Sequence, residues 1–193
     1  QGRFTKGCAS VLRGVFRSMK TLDDNLLIYT KNRLDPHETY SDNAFSENNK
    51  FLNKNPKFKS FRPSVDLRSG DIILSRGNAF TSAAISNLGE FDTQFSHMSL
   101  VYKDPQGKLW TIEAHIEIGS VVRPLEKGHI ADKNARTAFY RFDNEQLAAK
   151  AAKYIFERTK QASESTGNIN YDFAFDQENS SEIFCSEVAS HSF

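Results

Sequence analysis

The sequence is poor in cysteine, with only Cys8 and Cys185 among 193 residues. Two cysteines are too few for the disulfide framework of a small secreted scaffold, or for a zinc site built from cysteines alone. Both of these classes are therefore excluded, and any thiol chemistry has to come from a single cysteine.

The sequence also lacks a charge excess and long hydrophobic runs. Its 25 Lys and Arg residues are balanced by 24 Asp and Glu residues, for a formal net charge of +1. A dedicated nucleic-acid-binding domain usually has a clear basic excess, and a transmembrane helix needs an apolar run of ~18 residues. We therefore expect no nucleic-acid partner and no transmembrane segment. The length suits one domain with a small appendage.

The first third of the chain differs in composition from the rest. In residues 1–33 apolar residues recur at three- and four-residue steps, which predicts an amphipathic helix. Five basic residues and no acidic one lie between Arg3 and Lys20. The helix is expected to pack its apolar stripe on the domain, and contact with a membrane surface through residues 3–20 is the alternative. Residues 34–64 are polar and predict a long connection that could include a short helical turn, so we divide the chain into residues 1–64 and a domain at residues 65–193.

Residues 65–193 carry the patterns of strands and helices. Strands are predicted at residues 70–77, 95–102, 109–118 and 137–142, and helices at residues 80–88, 143–163 and from 179 onward. In the last helix Asn179 and Glu182 have the spacing of a capping box, which places Cys185 a few residues inside the helix. Strands and helices without regular βαβ alternation indicate an α+β fold with an antiparallel sheet packed against helices.

A tight turn is predicted at residues 104–107, Asp-Pro-Gln-Gly. Asp at the first position, Pro at the second and Gly at the fourth suit a type I turn followed by a left-handed glycine, which makes a three-residue hairpin loop. This turn pairs Asp104 with Lys108. Continued outward, the register places three opposed pairs on one face of the hairpin: Val101 and Thr111, Ser99 and Glu113, His97 and His115.

The two faces of this hairpin differ in polarity. The face opposite to the three pairs is apolar and is expected in the core; its members are Met98, Leu100, Tyr102, Leu109, Trp110, Ile112, Ala114 and Ile116. On the polar face His97 and Glu113 become diagonal neighbours, close enough for the carboxylate to orient the imidazole and favour its charged form. The alternative is an ordinary polar sheet face that is half exposed to solvent.

Cys185 is the candidate nucleophile. A thiol near the start of a helix is stabilised as thiolate by the unpaired N–H groups and the helix dipole. His97 or His115 would supply a base and Glu113 a group that orients it, which is the arrangement of an activated thiol. A buried structural cysteine is an equal alternative, because unpaired cysteine is often buried. Zinc bound by His97, His115, Glu113 and Cys185 is a weaker one, since the spacing matches no local metal motif.

Five short motifs occur in an order that resembles the permuted papain-like cysteine hydrolases of the NlpC superfamily, in the YiiX/YaeF-type branch. They are Gly70-Asp-Ile-Ile-Leu, Ser96-His-Met-Ser-Leu-Val-Tyr, Ile112-Glu-Ala, Tyr171-Asp-Phe-Ala-Phe and Phe184-Cys-Ser-Glu-Val. The resemblance covers about residues 65–193. It implies a circularly permuted papain-like fold, here with an extra N-terminal helix, in which the helix of the nucleophile follows the sheet. It also implies Cys185 as nucleophile, His97 as base and Glu113 as the orienting residue.

The resemblance further implies the type of reaction. It points to hydrolysis of an amide, in a peptide or a cell-wall peptide, through a Cys thioester acyl-enzyme, without cofactor or metal. Tyr171, Ser96 and, more weakly, His115 are expected to bind substrate. A lipid acyl hydrolase, acyltransferase or thioesterase acting on a lipid ester is the alternative, and a non-catalytic binding module is the second. The compartment that the resemblance suggests is the bacterial cell envelope.

Residues 1–60 lie outside the family pattern, and in that pattern further structure follows the segment that ends here at Phe193.

Overall fold

The computed structural model of the chain describes residues 6–31, 61–77, 80–87, 94–128 and 134–192. It contains ten elements: α1 (Lys6–Lys31), α2 (Pro63–Asp66), β1 (Ile72–Gly77), α3 (Phe80–Ser86), β2 (His97–Lys103), β3 (Leu109–His115), β4 (Gly119–Pro124), β5 (Asn134–Tyr140), α4 (Glu145–Ser165) and α5 (Glu187–Ser190). The connection predicted at residues 34–64 lies outside the described residues, apart from residues 61–64. There α2 begins at Pro63; the short helical turn that the sequence allowed in this connection was not assigned to particular residues.

The strands form one antiparallel sheet in the order β4-β3-β2-β1-β5. This confirms the predicted α+β fold with an antiparallel sheet. The single strand predicted at residues 109–118 is wrong, because the chain turns at residues 116–118 and returns as β4. Gly119 opens β4 with a positive φ of 70°, and a Cβ there would lie 2.0 Å from the Ile169 carbonyl oxygen. A side chain at this position would collide with the backbone, which explains the glycine.

The predicted hairpin register is confirmed at Val101 and Thr111, which are direct partners. Asp104 donates its N–H to the Lys108 carbonyl at 2.9 Å, and Gly107 has the expected left-handed φ of 84°. The turn residues therefore determine which side chains of β2 and β3 share a face.

Two positions on the predicted core face of the hairpin are wrong. Leu109 pairs with Lys103 and lies on the same face as Val101. Alternate residues of a strand face the same way, and Leu109 is two residues from Thr111, the partner of Val101. Ile116 is exposed, since β3 ends at His115 and the chain turns there.

Apolar clusters cover both faces of the sheet. The first joins β2 and β3 to α4 and to the segment around α5; its buried members are Leu100, Ile112, Ala114, Ala152, Ile155, Ile183 and Val188. The second lies on the other face; its buried members are Leu67, Ile73, Val101, Leu109 and Leu125. The face with His97 and Glu113 is therefore not the half-solvated surface of the alternative interpretation, because only its end near His97 and His115 is accessible.

The predicted helix from residue 179 onward is wrong, because helical structure begins only at Glu187. Asn179 accepts hydrogen bonds from Ser181 inside a turn instead of capping a helix. Ile183 donates its N–H to the Asn170 carbonyl and accepts the Asp172 N–H, so this stretch is extended against residues 170–172. Pairing with a distant segment has overridden the local capping pattern.

The N-terminal helix is present as α1, but its predicted packing is wrong. The described apolar side chains of its stripe are 39–68% exposed; they are Val11, Leu12, Val15, Met19, Leu22 and Leu26. Contact with the domain comes instead from the buried Lys20, whose ammonium donates to the Ser86 carbonyl and to Asn87 Oδ1, each at 3.4 Å. Of the helices that the structure describes, none has the length and apolarity needed to cross a membrane.

Candidate active site

Two histidines converge on one carboxylate oxygen at the end of the β2–β3 hairpin. Glu113 Oε2 lies 3.2 Å from His97 Nε2 and 2.9 Å from His115 Nε2. The imidazole rings are adjacent, with centroids 5.0 Å apart. The hairpin register thus brings together the three polar residues that the sequence placed on one face.

Glu113 is held rigidly beneath the two rings. Its side chain is 1% exposed, and its second oxygen, Oε1, accepts the Thr111 hydroxyl at 2.6 Å. A buried carboxylate needs partners of this kind to remain charged. Because both oxygens are engaged, the carboxylate has little freedom to rotate away from His97.

Cys185 reaches the same place from the C-terminal segment. Its thiol is hydrogen-bonded to the His97 side chain and accepts the backbone N–H groups of Met98 and Ser186. It lies two residues before α5, outside the helix, so its predicted stabilisation by a helix start does not apply. Its partners are individual N–H groups and an imidazole.

Glu187 positions the segment that carries Cys185. It is fully buried, and its Oε2 accepts the Phe184 N–H at 2.9 Å. Sequence reasoning missed this role because it paired Asn179 with Glu182 as the capping box. The signal was present in the motif Phe184-Cys-Ser-Glu187, where the carboxylate lies three residues after the N–H that it binds.

Asp172 positions the turn that precedes this segment, and sequence reasoning missed it as well. It is fully buried, and its carboxylate accepts the N–H groups of Ala174, Phe175 and Asp176 at 2.7–3.1 Å. The turn includes Phe175 with a positive φ of 55°. An Asp followed by a compact turn is an Asx-type pattern, which was the available signal.

The electrostatics of the cysteine and histidine favour charge separation. Burial opposes the charged ring of His97, but hydrogen bonds to Cys185 and Glu113 outweigh it and raise the pKa of His97 to about 9. Burial likewise opposes the Cys185 thiolate, but the His97 hydrogen bond and charge and the two backbone N–H groups lower the pKa of that thiol. A thiolate beside an imidazolium is the reactive form of such a pair.

The remaining predicted site residues take different positions. Tyr171 lies close enough to Cys185 for the thiolate charge to act on it; burial first, and that charge second, raise the pKa of Tyr171 to about 12. Its phenol is therefore a neutral hydrogen-bond donor near neutral pH. The Ser96 hydroxyl contacts Ser82 Oγ at 2.5 Å and the Ser75 carbonyl at 3.4 Å. These contacts connect the start of β2 to α3 and β1.

The same cluster has the donor atoms of a metal site. The nearest ligand atoms of His97, Glu113 and His115 all lie within 4.8 Å of one another. Among the described residues this is the one group of three or more His, Cys, Asp and Glu side chains that converge in this way.

Comparisons with known proteins give a family and a similar solved structure. A family model described as permuted papain-like amidase enzyme, YaeF/YiiX, C92 family, matches residues 66–193, which include Cys185, His97 and Glu113. Among solved structures, the chain is similar to the crystal structure of metalloprotein yiiX from Escherichia coli O157:H7, with 21% identity and a TM-score of 0.47. That similarity covers 65% of this chain and 63% of the other, so the chain spans less than two thirds of that structure. No curated protein matches.

Proposed function

The chain belongs to the permuted papain-like amidases of the YaeF/YiiX type, and from this membership and the site geometry we propose that it hydrolyses an amide bond through a Cys185 thioester. One observation carries the proposal: the Cys185 thiol is hydrogen-bonded to a histidine whose Nε2 is bound by the buried Glu113 carboxylate. A cysteine that is merely structural requires no such arrangement.

Each residue has a distinct part in the proposed reaction. Because Nε2 of His97 is engaged by Glu113, Nδ1 is the nitrogen that takes the proton of the Cys185 thiol. The thiolate attacks the amide carbon, and the negative charge on the former carbonyl oxygen is stabilised by N–H donors, among them the Cys185 N–H. The C–N bond then breaks, and His97 gives its proton to the departing amine.

Hydrolysis of the thioester completes the cycle. Water loses a proton to His97 and attacks the acyl carbon, and the C–S bond breaks to release the acid and the Cys185 thiolate, which pairs again with the protonated His97. Glu113 keeps the ring oriented throughout and does not need to change its own protonation. In this proposal Tyr171 contacts the substrate as a neutral hydrogen-bond donor.

Hydrolysis of small peptide amides by purified protein tests the proposal. Cys185→Ala and His97→Ala are each expected to lower kcat/KM by about 10² or more. The first removes the nucleophile that forms the bond to the substrate, and the second removes the base that accepts its proton. Cys8→Ala is the matched control, since Cys8 lies on α1 and is exposed. Unchanged hydrolysis in Cys185→Ala would refute the proposal.

An ester-cleaving enzyme is the second candidate, favoured by aromatic side chains beside the nucleophile. Phe173 and Phe175 are both exposed, and the Phe175 ring lies 5.1 Å from that of Phe184, the residue before Cys185. An exposed aromatic surface suits an apolar acyl chain. Comparing kcat/KM for a medium-chain acyl ester and a peptide amide decides between the two, and Phe175→Ser is expected to affect only the ester if this candidate is right.

A further inference from the structure

We propose that a zinc ion binds His97, Glu113 and His115 and inhibits the enzyme, because a zinc-bound His97 imidazole no longer acts as the acid that protonates the departing amine. The inhibitory consequence rests on the proposed function, whereas the binding itself does not. The ligands would be Nε2 of each histidine and Oε2 of the carboxylate. Cys185 would stay outside the coordination sphere, because its sulfur is not among the donor atoms that converge at this cluster.

The distances between these atoms suit a zinc ion. Tetrahedral zinc with ligands at about 2.0–2.2 Å requires its ligand atoms to lie about 3.3 Å from one another. The two N···O distances are 3.2 and 2.9 Å, and all three atoms lie within 4.8 Å of one another. Small rotations of two partly exposed rings therefore open the space that the ion occupies.

The surroundings of the cluster also suit a metal. Two imidazoles and one carboxylate are a zinc donor set that leaves one coordination position open. The Thr111 hydroxyl donates to the carboxylate oxygen that faces away from the histidines, which is the outer contact that orients a metal ligand. Both histidine side chains are partly exposed, at 21% and 25%, so an ion can enter from solvent.

Zinc binding would prevent His97 from acting in catalysis. Zinc replaces the protons on the two Nε2 atoms, and these protons leave to solvent. The bond between His97 and Glu113 is then mediated by a cation, which withdraws electrons from the ring and fixes its position. The zinc-bound ring keeps its Nδ1 proton, which is much less acidic than a proton of the imidazolium, so the ring is a poor proton donor to the departing amine. Amide hydrolysis therefore slows although Cys185 is not itself bound.

Calorimetric titration of the full chain with Zn²⁺ tests the binding. One ion per chain is expected, and His115→Gln, which keeps an amide donor toward Glu113 but removes the imidazole, should weaken binding by about 10- to 100-fold. Cys185→Ala should bind zinc as the wild type does. Glu117→Gln, an exposed change two residues from His115, is the matched control. Equal affinity in His115→Gln, or a loss in Cys185→Ala as large as in His115→Gln, would overturn the site.

The rate of amide hydrolysis with and without Zn²⁺ tests the inhibition. A Zn²⁺ concentration that saturates the wild type should slow hydrolysis by the wild type and by Glu117→Gln, but much less by His115→Gln. Strong protection of Cys185 against iodoacetamide by Zn²⁺ would show that the thiol itself binds the ion and would overturn the proposal, as would faster amide hydrolysis with zinc. Zinc binding is measured in Cys185→Ala without any turnover. The binding result can therefore be interpreted even if the amidase proposal fails.

Discussion

At the residue scale, the chemistry of the site depends on one hydrogen-bonded series of groups. Thr111 holds Glu113, Glu113 holds His97, and His97 contacts Cys185. The first three of these residues belong to one hairpin, so their alternation along β2 and β3 is enough to bring them together. The fourth comes from a segment more than 70 residues later in the chain, and only the fold places it.

The pH dependence of Cys185 alkylation follows from the shifted pKa values. In the wild type the rate should rise at a pH below the ~8.5 of an ordinary thiol, because His97 stabilises the thiolate. Hydrolysis should decline as the pH rises through about 9, where His97 loses its proton. His97→Ala should move the alkylation midpoint upward. An alkylation profile at Cys185 that is the same in wild type and His97→Ala would contradict this prediction; mass spectrometry of the peptides also reads Cys8 as an internal control.

The same pKa shift affects stability. The protonated ring of His97 is the form that the fold favours, since its folded pKa of about 9 exceeds the ordinary value of 6.5. Its contribution to the free energy of unfolding is therefore complete below the ordinary pKa and is lost as the pH rises through about 9.

At the element scale, an ion pair between the buried Asp71, just before β1, and the half-buried Arg141, just after β5, connects the two strands. Asp71 accepts two hydrogen bonds from the Arg141 guanidinium, at 2.7 and 2.6 Å, and one from the Arg68 N–H at 2.8 Å. Next to it Gly70 has φ 89°, and a Cβ there would lie 2.4 Å from the Ala148 Cβ on α4. The Gly-Asp motif is therefore explained by packing and pairing, away from the catalytic chemistry.

Asp71→Ala should lower the free energy of unfolding by about 1.5–3 kcal/mol, because it removes a buried carboxylate that accepts hydrogen bonds from the Arg141 guanidinium and the Arg68 N–H. Chemical denaturation measures the loss. Asp143→Ala, an exposed acidic residue close in sequence to Arg141, is the control and should change stability little. A loss in Asp71→Ala no larger than in the control would show that the pair is unimportant for stability.

Glu187 is expected to affect enzymatic activity by fixing the position of Cys185. Glu187→Ala leaves the Phe184 N–H unpaired and should lower kcat/KM, whereas Glu187→Gln retains an acceptor oxygen and should restore most of the activity. The Ala variant should also slow iodoacetamide alkylation at Cys185. If the Gln and Ala variants lose activity equally, the hydrogen bond to Phe184 is not what the activity requires.

At the scale of the whole molecule, α1 presents an apolar stripe that the described part of the domain does not cover. Besides the buried Lys20, the helix has three basic residues in this stretch, Lys6, Arg13 and Arg17, so an anionic lipid surface complements both its charge and its apolarity. Membrane-surface contact, which the sequence offered as the alternative, is therefore the interpretation that we carry forward as a prediction.

Co-sedimentation with vesicles tests this prediction. The protein should bind vesicles that contain phosphatidylglycerol and bind less as salt is added, because screening weakens the attraction of basic residues to anionic lipid. Val15→Glu combined with Met19→Glu should abolish binding, while Leu147→Glu on the exposed side of α4 should not. If the double variant instead dissociates a dimer and no vesicle binding is seen, the stripe is a contact between two copies of the chain.

The sequence by itself determined the antiparallel α+β fold, the hairpin register and, through its ordered motifs, the family. These depend on local information, because turn residues set a register and alternation sets a face over only a few positions. Only the tertiary structure decided where Cys185 lies, how deeply Glu113 is buried and that residues 179–186 are not helical. It also left the stripe of α1 uncovered. Each of these outcomes depends on contacts between segments far apart in the chain, where the free energy of pairing and burial exceeds that of a local capping or packing preference.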